Sequence, residues 1–130
     1  MTTYLLDANI LIALATRNHA ERQRCATWAQ ISATFALCPI TQGTLVRYLL
    51  RVNRPVTEAQ ATLRALEAQP NWVFWPDDAS YATADLGDIS GHQQATDAYL
   101  AALARAHGAK LATMDIGLAV THPDVTTLIP

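Results

Sequence analysis

Several features that would assign this 130-residue chain to a protein class are scarce or missing from it. Its five glycines never cluster into a loop able to cradle a phosphate. Its two cysteines, Cys25 and Cys38, are separated by helix-like and strand-like sequence and form no metal-ligand cluster, so reduced, buried thiols are expected. His19, His107 and His122 show no ligand spacing, and His92 reads as an exposed histidine at the start of a helix. No Ser/His/Asp or Cys/His set points to a nucleophilic triad. Lysine occurs once, at Lys110, and the net charge of −2 excludes a generally basic surface of the kind that coats nucleic acid. No apolar run approaches the length a bilayer needs, because Asp7 and Asn9 interrupt the first and Asp115 the last. Met1 leads straight into a strand-like segment, with no basic n-region and no small-residue cleavage site. A cytoplasmic protein without membrane contact is therefore expected.

What remains is ordinary globular composition, 51% hydrophobic and 15% charged, in a chain long enough for one domain over residues 1–130. "TYLL", "ATFALCP", "NWVFW", "AKLATMD" and "VTTLI" read as strands. "ANILIALA", "HAERQRCATWAQ", "TQGTLVRYLLRV" and "TEAQATLRALEAQ" read as helices, the last with Thr57 as N-cap. "DDASYATADLGD" reads as a short helix and loop. The clearest helix follows: Ser90 and Gln93 form a capping-box pair, the Ala-rich "ATDAYLAALARA" propagates, and Gly108 suits the C′ position. Strands alternate with helices and run as continuous apolar stretches, the pattern of a parallel sheet covered on both faces.

In such a sheet functional groups collect beyond the carboxyl ends of the strands. Asp7 ends the first strand and Asp115 the fourth. Asp97 lies near the start of the Ala-rich helix and extends a stripe through Leu100 and Ala104, which brings it to the same end of the domain. Each acid has a plain structural reading: Asp7 and Asp115 as caps, Asp97 as a partner of the helix dipole. Together they would converge as like charges, which repel unless protonated or bridged by a cation. Oxygen-only ligands favour Mg²⁺ or Mn²⁺, and the chemistry implied is metal-assisted attack on a phosphodiester. Arg47, Arg51 and Arg54 fall at i, i+4 and i+7, along one face if a helix runs that far, and that face either meets phosphate or is simply solvated. Trp72 and Trp75 read as core or contact residues ahead of a base-stacking role.

"LLDANILI", "CPITQGTLVR" and "ISGHQQATDAYLAALARAHGAKLATMD" resemble, in order and spacing, the signatures of the PIN-domain family. Within it they are similar to the VapC-type toxin ribonucleases of toxin–antitoxin pairs. The resemblance spans nearly the whole chain. It implies a three-layer α/β/α sandwich with a central, mainly parallel sheet, Mg²⁺- or Mn²⁺-dependent RNA cleavage, and a homodimer. It also implies a VapB-like antitoxin laid over the acidic cleft, where the three carboxylates are expected to draw an Arg or Lys of that partner. On the family's pattern Asp7, Asp97 and Asp115 fall on the acidic metal positions, Asn9 on the residue supporting the first Asp, and Thr113 one shell further out. Gln42 stands where many relatives carry Glu and is expected as an ancillary polar group beside the ion. Two rival readings stay open on the sequence. One is a different Mg²⁺-dependent phosphoryl-transfer enzyme on a doubly wound sheet, although Asn9 spoils the D-x-D an aspartyl phosphatase needs. The other is a catalytically silent PIN-like binding module.

Overall fold

The computed structural model describes residues 1–130. Five strands, β1 (Thr3–Leu6), β2 (Thr34–Leu37), β3 (Trp72–Phe74), β4 (Lys110–Thr113) and β5 (Thr126–Leu128), pair in parallel in the order β3-β2-β1-β4-β5. Side chains alternate across a strand, and here both faces are buried. Leu6, Phe35, Leu37, Trp72 and Ala112 enter one core, under α1 (Ala8–Ala15), α2 (Arg22–Trp28), α3 (Pro39–Arg51) and α4 (Val56–Glu67). Leu5, Ala36, Trp75 and Leu111 enter the other, under α5 (Ala95–Ala106) and α6 (Ile116–Thr121). The result is the expected three-layer α/β/α sandwich, with every strand pair parallel. Trp72 and Trp75 thus divide between the two cores, and Cys25 and Cys38 are buried and free.

The chain builds β1, β2 and β3 outward in one direction, then crosses back through α5 to place β4 on the other side of β1. That reversal opens a crevice at the carboxyl ends of β1 and β4, the usual place for a ligand in an open α/β sheet.

Several local expectations differ from the structure. Helix α4 starts at Val56 with Pro55 as its N-cap residue, so Thr57 is already helical. Pro55 is held extended, and its carbonyl accepts the Glu58 and Ala59 N–H groups. The helix-and-loop expected over 77–88 contains no helix. Side chains of α5 and its C-terminus hold it instead: Tyr99 Oη donates to the Ala79 carbonyl (2.7 Å), Arg105 to the Asp85 carbonyl, and His107 pairs with Asp78. The cap of the Ala-rich helix is Gln94, one residue beyond Gln93, whose Oε1 accepts the Ser90 and Gly91 N–H groups across a 3₁₀ turn at His92–Gln94. Helix α6, capped by Asp115, was not expected at all.

Arg54 leaves the face that Arg47 and Arg51 share. Helix α3 ends at Arg51, and Asn53 takes the left-handed conformation at φ 65°. The Arg54 N–H then bonds the Leu49 carbonyl and the Asn53 N–H the Leu50 carbonyl, a Schellman ending in which Asn replaces the usual Gly. The side chain of Arg54 turns to Glu58.

The aromatic group centred on Phe35 anchors the larger core. Its ring lies 5.5 Å from Trp28, 5.7 Å from Trp72 and 6.5 Å from Tyr4, measured between centroids. Phe35→Ala is expected to cost about 3–5 kcal/mol, by the usual toll of a buried aromatic. Urea unfolding will read this as a lower midpoint with an unchanged slope; a loss below about 1 kcal/mol would mean the cluster repacks around the gap.

Candidate active site

Asp7 follows β1 directly. It is 7% exposed, and its carboxylate is held from two sides: Oδ1 accepts the Ala8 N–H (2.8 Å) and Oδ2 accepts the Thr113 hydroxyl (2.8 Å). Thr113 is fully buried at the end of β4, and the same hydroxyl oxygen accepts the Asp115 N–H at 3.0 Å. One side chain therefore links the ends of the two strands that flank the crevice. Asp115 caps α6, with Oδ1 accepting the Leu118 N–H at 3.2 Å. The capping readings of Asp7 and Asp115 are thus both true, and neither uses up the carboxylate, since each oxygen has further lone pairs.

Asp97 comes from the first turn of α5. With Asp7 and Asp115 it lines a cleft of about 210 Å³, which Asn9, Thr41 and Thr44 also border. Burial raises the Asp97 pKa to about 6, and the negative charges of Asp7 and Asp115 push in the same direction; no hydrogen bond tempers the effect. Asp7 is raised as well, chiefly by burial, with the Thr113 and Ala8 hydrogen bonds opposing and the Asp115 charge adding a little.

These groups are not drawn tightly enough to enclose an ion by themselves. The donor set nevertheless suits a hard divalent cation of the Mg²⁺ type, which keeps several waters and needs only one or two carboxylates directly. Asp97, unpaired and repelled by both neighbours, would gain most from such a cation.

Gln42 is not among the residues of the cleft. It lies on another face of α3, where its Nε2 donates to Glu67 Oε1 at 2.9 Å. Thr41 and Thr44, three residues apart, take the inward positions, as one helical turn requires. Thr44 donates to the Ile40 carbonyl and accepts from Arg47 Nη2 (3.1 Å), which brings Arg47 to the rim. Thr44 was not anticipated from the sequence; helical spacing from Thr41 was the signal that would have found it. Asn9 and Thr113 stand where they were expected, and His92 is exposed.

A PIN-domain family model matches residues 4–121 of the chain. The chain belongs to the PIN-domain family. It is 47% identical over 129 residues to "Ribonuclease VapC29" of Mycobacterium tuberculosis, a match covering 98% of this chain and 97% of that relative. Among solved structures it resembles M. tuberculosis VapC20, described as a sarcin–ricin-loop-cleaving toxin. The TM-score is 0.65 at 18% identity, over 90% of this PIN chain and 93% of that one. A toxin–antitoxin complex from Klebsiella pneumoniae matches with a TM-score of 0.68 at 18% identity, over 95% of each chain. These two likenesses show that the PIN fold is shared.

The raised Asp97 pKa sets the sign of a pH effect on the metal-free domain. Because the folded-state pKa of about 6 lies above the ordinary 3.8, the folded state binds the proton more tightly than the unfolded chain. Stability from this group is therefore full below about pH 4 and falls as the pH rises to about 6. In chelator at pH 7.5, Asp97→Asn should be more stable than the parent by about 1 kcal/mol, discounted for the partial solvation of the site. The gain should vanish near pH 4. Equal melting temperatures of the two proteins at both pH values would show that neither burial nor the neighbouring charges raise the Asp97 pKa in the folded domain.

Proposed function

We propose that this PIN protein is a metal-dependent endoribonuclease of the VapC type, the toxin of a toxin–antitoxin pair. The observation that carries the reading is the meeting of Asp7, Asp97 and Asp115, from three different elements, in one cleft at the switch point of the sheet. Near-full-length identity of 47% to a protein named as a VapC ribonuclease supports the substrate class.

Asp7, Asp97 and Asp115 would hold one Mg²⁺ or Mn²⁺. When bound, such an ion supplies a nucleophile at neutral pH and offsets charge developing on the phosphate. The chain's own groups do the positioning. Thr113 keeps the Asp7 carboxylate turned into the cleft and ties the Asp115 backbone to it. Arg47, steadied by Thr44, stands at the rim where its planar fork can bind a phosphate of the RNA strand, with Arg51 one turn further along the same helix. Gln42 and Arg54, each engaged with a glutamate elsewhere, take no part.

The inhibiting partner in this reading is a VapB-like antitoxin whose Arg or Lys binds the same carboxylates in place of the cation. The fold shared with a toxin–antitoxin complex agrees with that partner. The homodimer belongs to the same reading. Leu50, Val52 and Val56 leave an exposed apolar surface at the α3–α4 corner on which one could form.

The test is cleavage of single-stranded and structured RNA by the purified protein in Mg²⁺, in Mn²⁺ and in chelator. Cleavage should require the ion, and Asp7→Asn, Asp97→Asn and Asp115→Asn should each lower it by at least about 100-fold without unfolding the domain. Gln42→Ala should leave it within about twofold, as for a surface change outside the site. RNA binding without cleavage in any metal would favour the silent binding module. Full activity in an Asp variant would make that residue only a helix cap.

A further inference from the structure

Asp97 and Asp115 have a second side. Behind them, beneath α6, lies another cleft of about 190 Å³ that shares these two carboxylates with the first. Ile89 and Leu118 give it apolar walls, and Gln94, Thr121 and His122 give it polar ones.

The hydrogen-bonding character of each polar wall is set by its other contacts. His122 is 3% exposed, and its Nδ1 lies 3.2 Å from Arg105 Nη2. A guanidinium can only donate, so Nδ1 accepts, the ring is neutral, and its proton is on Nε2. Arg105 is itself fixed by a two-point contact to Asp124, at 2.7 and 2.9 Å. Gly87, at φ +71°, stands over the ring, where a Cβ would come within 3.4 Å of Cε1. Nε2 has no protein partner, yet the only fully buried side-chain polar atom without one is Thr16 Oγ1. The Nε2–H therefore opens on the cleft that His122 lines. Gln94 spends its oxygen on the Ser90 and Gly91 N–H groups, which leaves its NH₂ as a donor. Thr121 gives its proton to the Gly117 carbonyl at 2.8 Å, which leaves it an acceptor. The cleft thus offers two neutral donors and one acceptor between two apolar surfaces.

We propose that this second cleft seats one nucleobase of the RNA, beside the phosphodiester held over Asp97 and Asp115, and that His122 Nε2–H and the Gln94 amide read acceptors on its edge. The inference rests on the ribonuclease reading above. A bare phosphate is disfavoured, because two carboxylates stand at the mouth and no cationic group faces it. Bases are held in this way elsewhere, with their faces against apolar side chains and their edges hydrogen-bonded. His122 and Gln94 are specificity-determining residues here, not catalytic ones.

The experiment uses an oligoribonucleotide that the wild-type protein cuts, and versions of it made abasic at single positions within two nucleotides of the cut. One abasic position should lower kcat/KM roughly 3–10-fold, the range of one or two neutral hydrogen bonds. His122→Phe and Gln94→Met should each lower it similarly on the intact strand and cost nothing more on that abasic strand. His122→Gln, which offers Arg105 an oxygen and the cleft an NH₂, should restore part of the loss. Anisotropy of the same labelled strands bound in chelator reads the preference without cleavage. Should His122→Phe fail to fold, the exposed Gln94 carries the test. Equal losses on intact and on every abasic strand would overturn the subsite and make both residues structural. Wild-type cleavage indifferent to every base would overturn the subsite alone, and a protein that neither cuts nor binds RNA would overturn the ribonuclease reading with it.

Discussion

Three carboxylates that repel one another, brought to one edge of a sheet, are the constraint from which the rest of this domain follows. Asp7 and Asp97 both carry raised pKa values, and burial leads the causes in each case. A site of this kind persists because something rigid holds it. Here that element is Thr113, whose single hydroxyl donates to Asp7 and accepts from the Asp115 backbone, and which is wholly buried. The repulsion is tolerable in a domain with two apolar cores, and a bound cation would relieve it.

The fold supplies the convergence. β1 and β4 are neighbours in space but far apart in sequence, and the reversal of strand order between them leaves the crevice open. Asp7 and Asp115 emerge there because each immediately follows its strand, or follows it by one residue, and each begins a helix. The crossover helix α5, with seven of its residues buried, brings Asp97 over the same edge. Structural duty and the proposed chemical duty therefore fall on the same residues: Asp7 and Asp115 start helices and also turn carboxylate oxygen to the cleft.

Much of this was legible in the sequence, and for physical reasons. An acid at the end of an apolar run is rare enough to be informative, so Asp7 and Asp115 stood out, and helical spacing placed Asp97 with them. The departures have separate physical causes. Gln42 was placed by the family's pattern and not by helical phase; Thr41 and Thr44 take the inward positions while Gln42 meets Glu67. Arg54 shares the arginine face only if the helix runs past Arg51, and Asn53 and Pro55 are the residues that stop it short. Helix α6 escaped notice because six residues with Leu118 as the only buried one show no period. The second cleft was invisible for a different reason. The fixed tautomer of His122 depends on Arg105 and Asp124, contacts that spacing along the chain does not reveal.

The claim on which this account stands is that Asp7, Asp97 and Asp115 form one cation site. Crystals grown with Mn²⁺ and measured near the manganese absorption edge would test it directly through the anomalous difference map. A single strong peak is expected within ligand distance of at least two of the three carboxylates, with the third bound directly or through water and Gln42 remote from it. A map with no peak in that cleft at saturating Mn²⁺, or with its peak elsewhere on the domain, would contradict it.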